Sequence, residues 1–133
     1  MEKGVGNGII AGFLSALLAL VINTKLADYS KRQAITLGAP VIEEILKTGM
    51  AVLFGGSVIL SHLCFGIAEA VYDVARKRDI RSYFAGVTAV LSHALFGAAA
   101  VWTMEHLRSV VSGILVSFLL HISWNRWVIR KKE

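Results

Sequence analysis

Residues Gly4 to Ile22 read GVGNGIIAGFLSALLALVI, nineteen residues without a charge. About 20 helical residues cross the ~30 Å of bilayer hydrocarbon, so this stretch reads as a membrane span. Its flanking charge (Lys25, Lys31, Arg32) follows the apolar core, and no clear small-residue cleavage site is present. The expectation is a retained helix and not a signal peptide, whose charge would come first. Four more stretches of similar character follow, at about Thr36–Phe54, Ser57–Ala75, Tyr83–Met104 and Ser109–Val128. The expected fold is therefore all-α. One domain over residues 1–133 forms a polytopic membrane protein, a bundle of about five transmembrane helices. Short connections predict that neighbouring spans pack antiparallel.

Composition points the same way. Of 133 residues, 56% are hydrophobic and 17% charged, against about 45–50% and about 25% in average soluble domains. Mean hydropathy is +0.65. Such a chain has too much apolar mass to stay disordered, and it is too small to hide that mass in one water-soluble core. The lone Cys64 forms no internal disulfide, which excludes a stapled secreted scaffold. A net charge of +5 raises nucleic acid as a partner, but the distribution of charge answers it. Eleven Lys and Arg fall on one side of the five-span arrangement: Lys25, Lys31, Arg32, Arg76, Lys77, Arg78, Arg81, Arg126, Arg130, Lys131 and Lys132. Only Lys3 and Arg108 fall on the other, and Lys47 lies inside a span. Basic loops stay cytoplasmic. The expectation is a multi-pass cell-membrane protein, N-terminus outside and C-terminus cytoplasmic, with the lipid bilayer as partner and no nucleic acid.

The spans contain side chains that hydrocarbon excludes. The second holds Glu43, Glu44 and Lys47, the third Glu69 and Asp73, the fourth His93, and the fifth His121, Asn125 and Arg126. Facing lipid, Glu43, Glu44, Lys47, Glu69, His93 and His121 would together cost on the order of 10 kcal/mol. They are expected to face protein, water or each other. Lys47 lies four residues from Glu43 and three from Glu44, hence on one helix face. His93 continues a small-residue ridge of Ala85, Ala89 and Gly97. His121 stands in another, with Ser109, Gly113, Ser117 and Asn125. Such ridges are packing faces. The first span has its own, Gly4, Gly8, Gly12 and Ala16, and reads as scaffold. Measured from the cytoplasmic ends at 1.5 Å per residue, Glu44 lies about 12 Å deep, Glu69 about 9 Å, His93 about 15 Å and His121 about 10 Å. Four helices thus bring polar groups to one level, as a single site requires.

These residues stand in ordered motifs. Residues 39–47 read A-P-x-x-E-E-x-x-K, residues 65–69 F-x-x-x-E, residues 93–97 H-x-x-F-G and residues 121–125 H-x-x-x-N. In this order the chain, over about residues 36–126, resembles the PrsW family of intramembrane proteases, related to the CAAX prenyl endopeptidases and bacteriocin-processing enzymes. Lys47 and Glu69 favour PrsW, since the wider group has Arg one residue later, where this chain has Thr48, and His at the Glu69 position. Ala70 stands where the family often has Asn. The family generally has more transmembrane helices, so this chain corresponds to a near-minimal core.

The resemblance implies an endopeptidase acting on a membrane-embedded or membrane-anchored peptide. Amide hydrolysis needs an activated water, an oxyanion stabiliser and a proton for the leaving amine. Two adjoining acids in a dry site do not both ionise easily, so Glu44 or Glu43 is expected as general base, with its partner holding or orienting the proton. Lys47 moderates their charge. The resemblance implies that His93 helps hold the water, that His121 and Asn125 stabilise the oxyanion, and that Glu69 orients a histidine. No cofactor is favoured. The rival is zinc on His93, His121 and Glu69, with Glu44 as base. Read singly, Glu44–Lys47 is a register-fixing ion pair and His121–Asn125 interhelical glue. Other classes are a proton or ion carrier and a non-catalytic binding or immunity protein. The sequence leaves open a homo-oligomer that encloses the site. Phe65 and Phe96 read as packing, and His62, near the outer boundary, as structural. Asp73 and Arg76 are expected to pair or snorkel, His106 to be solvated in a loop, and Trp102, Trp124 and Trp127 to mark interfaces.

Overall fold

The computed structural model describes residues 2–28 and 34–130. The described residues form five α-helices: α1 (Glu2–Ala27), α2 (Ala39–Leu53), α3 (Val58–Lys77), α4 (Ile80–Leu107) and α5 (Val110–Arg130). A π-helical turn, Ala34–Gly38, runs directly into α2, and no strand occurs among the described residues. Of the basic residues counted above, Lys31, Arg32, Lys131 and Lys132 lie outside the described residues.

Except for α2, which lies inside its expected stretch, the helices run past the stretches read from hydropathy at one or both ends, because a helix does not stop where its apolar residues stop. α1 continues past Ile22 to Ala27, and the connection between α3 and α4 shrinks to Arg78 and Asp79. Arg78 takes the left-handed conformation at φ 51°. Asp79 caps α4: its carboxylate accepts from Ser82 N–H at 2.7 Å, and its own N–H donates to the Ser82 hydroxyl. His106, read as a loop residue, belongs to the last turn of α4, where its ring lies against Trp102.

Among the described residues, three helices are long and apolar enough to cross a membrane: Gly4–Ala27, Val58–Lys77 and Ile80–Leu107, at mean hydropathies of 2.2, 1.5 and 1.7. α2 has 15 residues, and at 1.5 Å each it is about 22 Å long. α5 carries His121, Asn125 and Arg126 in its second half.

The interior inverts that of a water-soluble domain. The largest fully buried side chains are Lys47, His62 and Glu44, whereas Leu53, Phe84 and Leu95 are 76%, 70% and 68% exposed. Water would penalise that outer surface, and hydrocarbon would not. Neighbouring helices close a ring in the order α1, α3, α4, α5, α2, with α2 also against α3. Missing side chains permit the close approaches. A Cβ on Gly12 would lie 2.5 Å from the Ser61 carbonyl oxygen, so α1 and α3 touch backbone to backbone there.

The buried stripe of α5 is Gly113, Ser117 and His121, the middle of the expected ridge. In α4 the ridge is only half right. His93 and Gly97 are buried, but Ser82 and Gly86 take the inner face and Ala85 is exposed. A four-residue step overshoots the 3.6-residue turn by about 40°, so a strict step of four drifts off the packed face within two turns.

Candidate functional site

Every inward position of α2 except Ala51 and Pro40 is polar: Glu43, Glu44, Lys47 and Thr48 are buried. Pro40 lies in the first turn of α2, directly after the π-helical turn, a position where proline is tolerated. The polar face meets side chains from α3, α4 and α5 in one network.

Lys47 is at its centre. Its ammonium donates to Glu44 Oε1 at 2.5 Å and to His93 Nδ1 at 3.0 Å, and lies 3.8 Å from Glu43 Oε2. It also sits 4.4 Å from the centroid of the Phe65 ring, so this phenylalanine contributes a cation–π face as well as packing. A lysine ammonium only donates. His93 Nδ1 must therefore accept, and Nε2 carries the proton that reaches Glu69 Oε2 at 2.7 Å. Both His93 nitrogens are thus engaged. His121 has the other tautomer. Its Nδ1–H donates to Glu44 Oε1 at 2.7 Å, and its Nε2 lone pair lies 3.9 Å from Glu43 Oε2. The two rings meet edge to face, with centroids 5.2 Å apart, and Phe96 lies 5.4 Å from that of His121.

The two adjacent glutamates have different surroundings. Glu44 is fully buried and is not part of the lining of the cavity that Glu43 faces. Glu43 lines that cavity, of about 590 Å³, together with Glu69, His121, Asn125 and Asn23. The cavity lies between α1 from Phe13 to Ala27 and α3 from Phe65 to Arg76, and it reaches toward the C-terminal ends of both helices. Its α1 wall is apolar from Phe13 to Leu20 and polar at Asn23 and Thr24, and its α3 wall carries Glu69, Asp73 and Arg76. Below it, α1 and α3 are pressed together at Gly8 and Gly12.

The structure thus joins Glu43, Glu44, Lys47, Glu69, His93 and His121 through hydrogen bonds and ion pairs, and sets Asn125 on the shared cavity wall. Two participants were read from sequence as structural or not read at all. Asn23, one residue past the expected end of the first span, donates to Glu43 Oε1 at 3.0 Å. His62 is fully buried on the back of the cluster, with Nε2 3.0 Å from Thr48 Oγ1 and Nδ1 3.7 Å from Glu44 Oε2. The available signal was its seven-residue separation from Glu69, which puts both on one face. Asp73 pairs with Lys77 at 3.4 Å, and Arg76 stands at the cavity mouth.

The histidines also bear on metal binding. One ligand atom each from Glu43, His93 and His121 lie within 4.8 Å of one another. This trio includes Glu43 in place of the Glu69 expected from sequence. The Lys47 ammonium already bonds His93 Nδ1 and faces both Glu43 and Glu44. With that cation in place, the His93 nitrogen on this side is not available, so the donor set does not fit a divalent ion unless Lys47 withdraws.

Compared with protein-family profiles, curated proteins and solved structures, the chain matches none.

Proposed function

We propose that the chain is an intramembrane endopeptidase of the PrsW type, spanning the membrane five times with its N-terminus outside and C-terminus cytoplasmic. The π-helical turn and α2 together run over residues 34–53, a length of about 30 Å, which supports α2 as a span. The exposed basic residues described at one end of the bundle, Lys25, Arg76, Lys77, Arg78, Arg81, Arg126 and Arg130, support the orientation.

The observation that carries the catalytic reading is the unequal pair of glutamates. Glu44 is locked by Lys47 and His121, while Glu43 opens onto the cavity opposite the His121 Nε2 lone pair. The 3.9 Å gap is too long for a direct hydrogen bond and suits a bridging water. In the proposed reaction Glu43 takes a proton from that water as its oxygen attacks the substrate carbonyl carbon. The Asn125 amide, one turn from His121, donates to the oxyanion. Glu43 then returns the proton to the departing nitrogen as the C–N bond breaks. This assignment takes Glu43 of the two expected candidates as the base, and moves the water from His93 to His121. Lys47, Glu44, His93 and Glu69 hold the pair in position.

The substrate enters from the cytoplasmic end of the bundle. Arg76 at the mouth and Glu69 inside are seven residues apart on α3, about 10 Å along the helix. That depth takes about three residues of extended chain, so the substrate unwinds near the bond that is cut. Its apolar side lies on α1.

A proton or ion carrier would need polar groups through the whole bilayer thickness, and this network stays at one level. A non-catalytic binding protein on the same frame would cleave nothing. The test is Glu43→Gln beside Glu44→Gln and wild type on membrane-anchored peptides. Loss of cleavage in Glu43→Gln with the fold intact supports the reading, and full activity in that variant overturns it.

A further inference from the structure

The network has a back side, away from the cavity that Glu43 lines. Two buried polar atoms there lack a hydrogen-bond partner, Glu44 Oε2 and His62 Nδ1, and they face each other at 3.7 Å. Both side chains are fully buried. On its other edge, His62 Nε2 lies 3.0 Å from Thr48 Oγ1.

Only one tautomer suits this arrangement. With the proton on Nε2, the Nδ1 lone pair would point at a carboxylate oxygen, two acceptors facing one another without water. With the proton on Nδ1, an N–H faces that oxygen, and the Thr48 hydroxyl donates to Nε2. A hydroxyl serves either way, so the carboxylate decides. We infer that the Glu44 carboxylate fixes the His62 tautomer, that the Thr48 hydroxyl holds the ring through Nε2, and that His62, as a positioning residue, supports Glu44 from behind. Glu44 is then held from three helices: Oε1 accepts from Lys47 of α2 and His121 of α5, and Oε2 faces the His62 N–H of α3 at 3.7 Å, an electrostatic contact longer than a hydrogen bond. Gly97 of α4 makes the room. A Cβ on it would fall 2.7 Å from His62 Cβ and 2.9 Å from Cγ.

The consequence reaches the proposed catalytic pair through one bond. Glu44 orients the His121 ring, and His121 Nε2 faces Glu43. The kinetic half of this inference therefore rests on the reading under Proposed function, whereas the tautomer does not.

The first measurement is solid-state nitrogen NMR of ring-labelled protein in lipid bilayers, with the His62 signals assigned by their loss in His62→Gln. A proton on Nδ1 is expected, and a proton on Nε2 overturns the inference, whatever the protein catalyses. The second compares Thr48→Val, nearly isosteric but without the hydroxyl, with Thr48→Ser. A displaced catalytic group costs about tenfold to a hundredfold, so Thr48→Val is expected to lower kcat by that factor with KM unchanged. Thr48→Ser is expected to retain activity. Equal activity of the Val variant, Ser variant and wild type overturns the positioning role. If Nδ1 carries the proton and wild type cleaves no peptide, the proteolytic reading falls, the positioning role falls with it, and the tautomer assignment stands.

Discussion

Lys47→Met removes a charge and keeps most of the side-chain volume. The ammonium is fully buried and makes two short bonds, to Glu44 and His93, beside a longer contact with Glu43 and a cation–π contact with Phe65. A charge-assisted hydrogen bond contributes about 1.5–3 kcal/mol, and a desolvated cation–π contact about 2 kcal/mol. These do not simply add, because the partners are shared. Removing one partner of a buried ion pair costs about 3–5 kcal/mol, since the other is left uncompensated. The expected loss for Lys47→Met is about 4 kcal/mol. Adding Glu44→Gln removes one stranded charge, so the double variant should recover about 2 kcal/mol despite carrying one more substitution. The assay is reversible unfolding in mixed micelles at rising denaturing-detergent fraction, followed by circular dichroism. A loss below about 1 kcal/mol in the single variant, or a double variant less stable than the single, would refute the claim that Lys47 is the central cation.

Three further outcomes follow from the same contacts. Gly12→Leu drives a side chain into the Ser61 carbonyl and Cys64, and overpacking of this kind costs about 1–3 kcal/mol or more, read in the same unfolding assay. Asn23→Ala removes the amide that donates to Glu43; cleavage should fall while unfolding changes by no more than about 1 kcal/mol, and unchanged kinetics would remove Asn23 from the site. Chelation should leave cleavage intact, because Lys47 holds the place of a divalent cation. Activity lost on chelation and restored by stoichiometric zinc would reverse that assignment.

Much of the site was legible because buried charge in an apolar helix has few explanations. Glu43, Glu44, Lys47, Glu69, His93 and His121 announce themselves by cost, and helical spacing gives their faces. Spacing does not give rotation or tilt between helices. That is why His62, which looked peripheral by depth, is buried against Thr48 and Gly97. It is also why Glu43 and Glu44, one residue apart and equal on paper, differ in access to the cavity. Asn23 was hidden by a helix that outlasts its apolar stretch. Ala85 was misplaced by treating a 3.6-residue turn as four.

The most direct measurement is proteolysis in water enriched in heavy oxygen, with purified protein in liposomes and anchored peptides followed by mass spectrometry. The account predicts new carboxyl termini carrying one heavy oxygen with wild type and none with Glu43→Gln. Cleavage at the same rate by both proteins, or none by well-folded wild type on any anchored peptide, would contradict it.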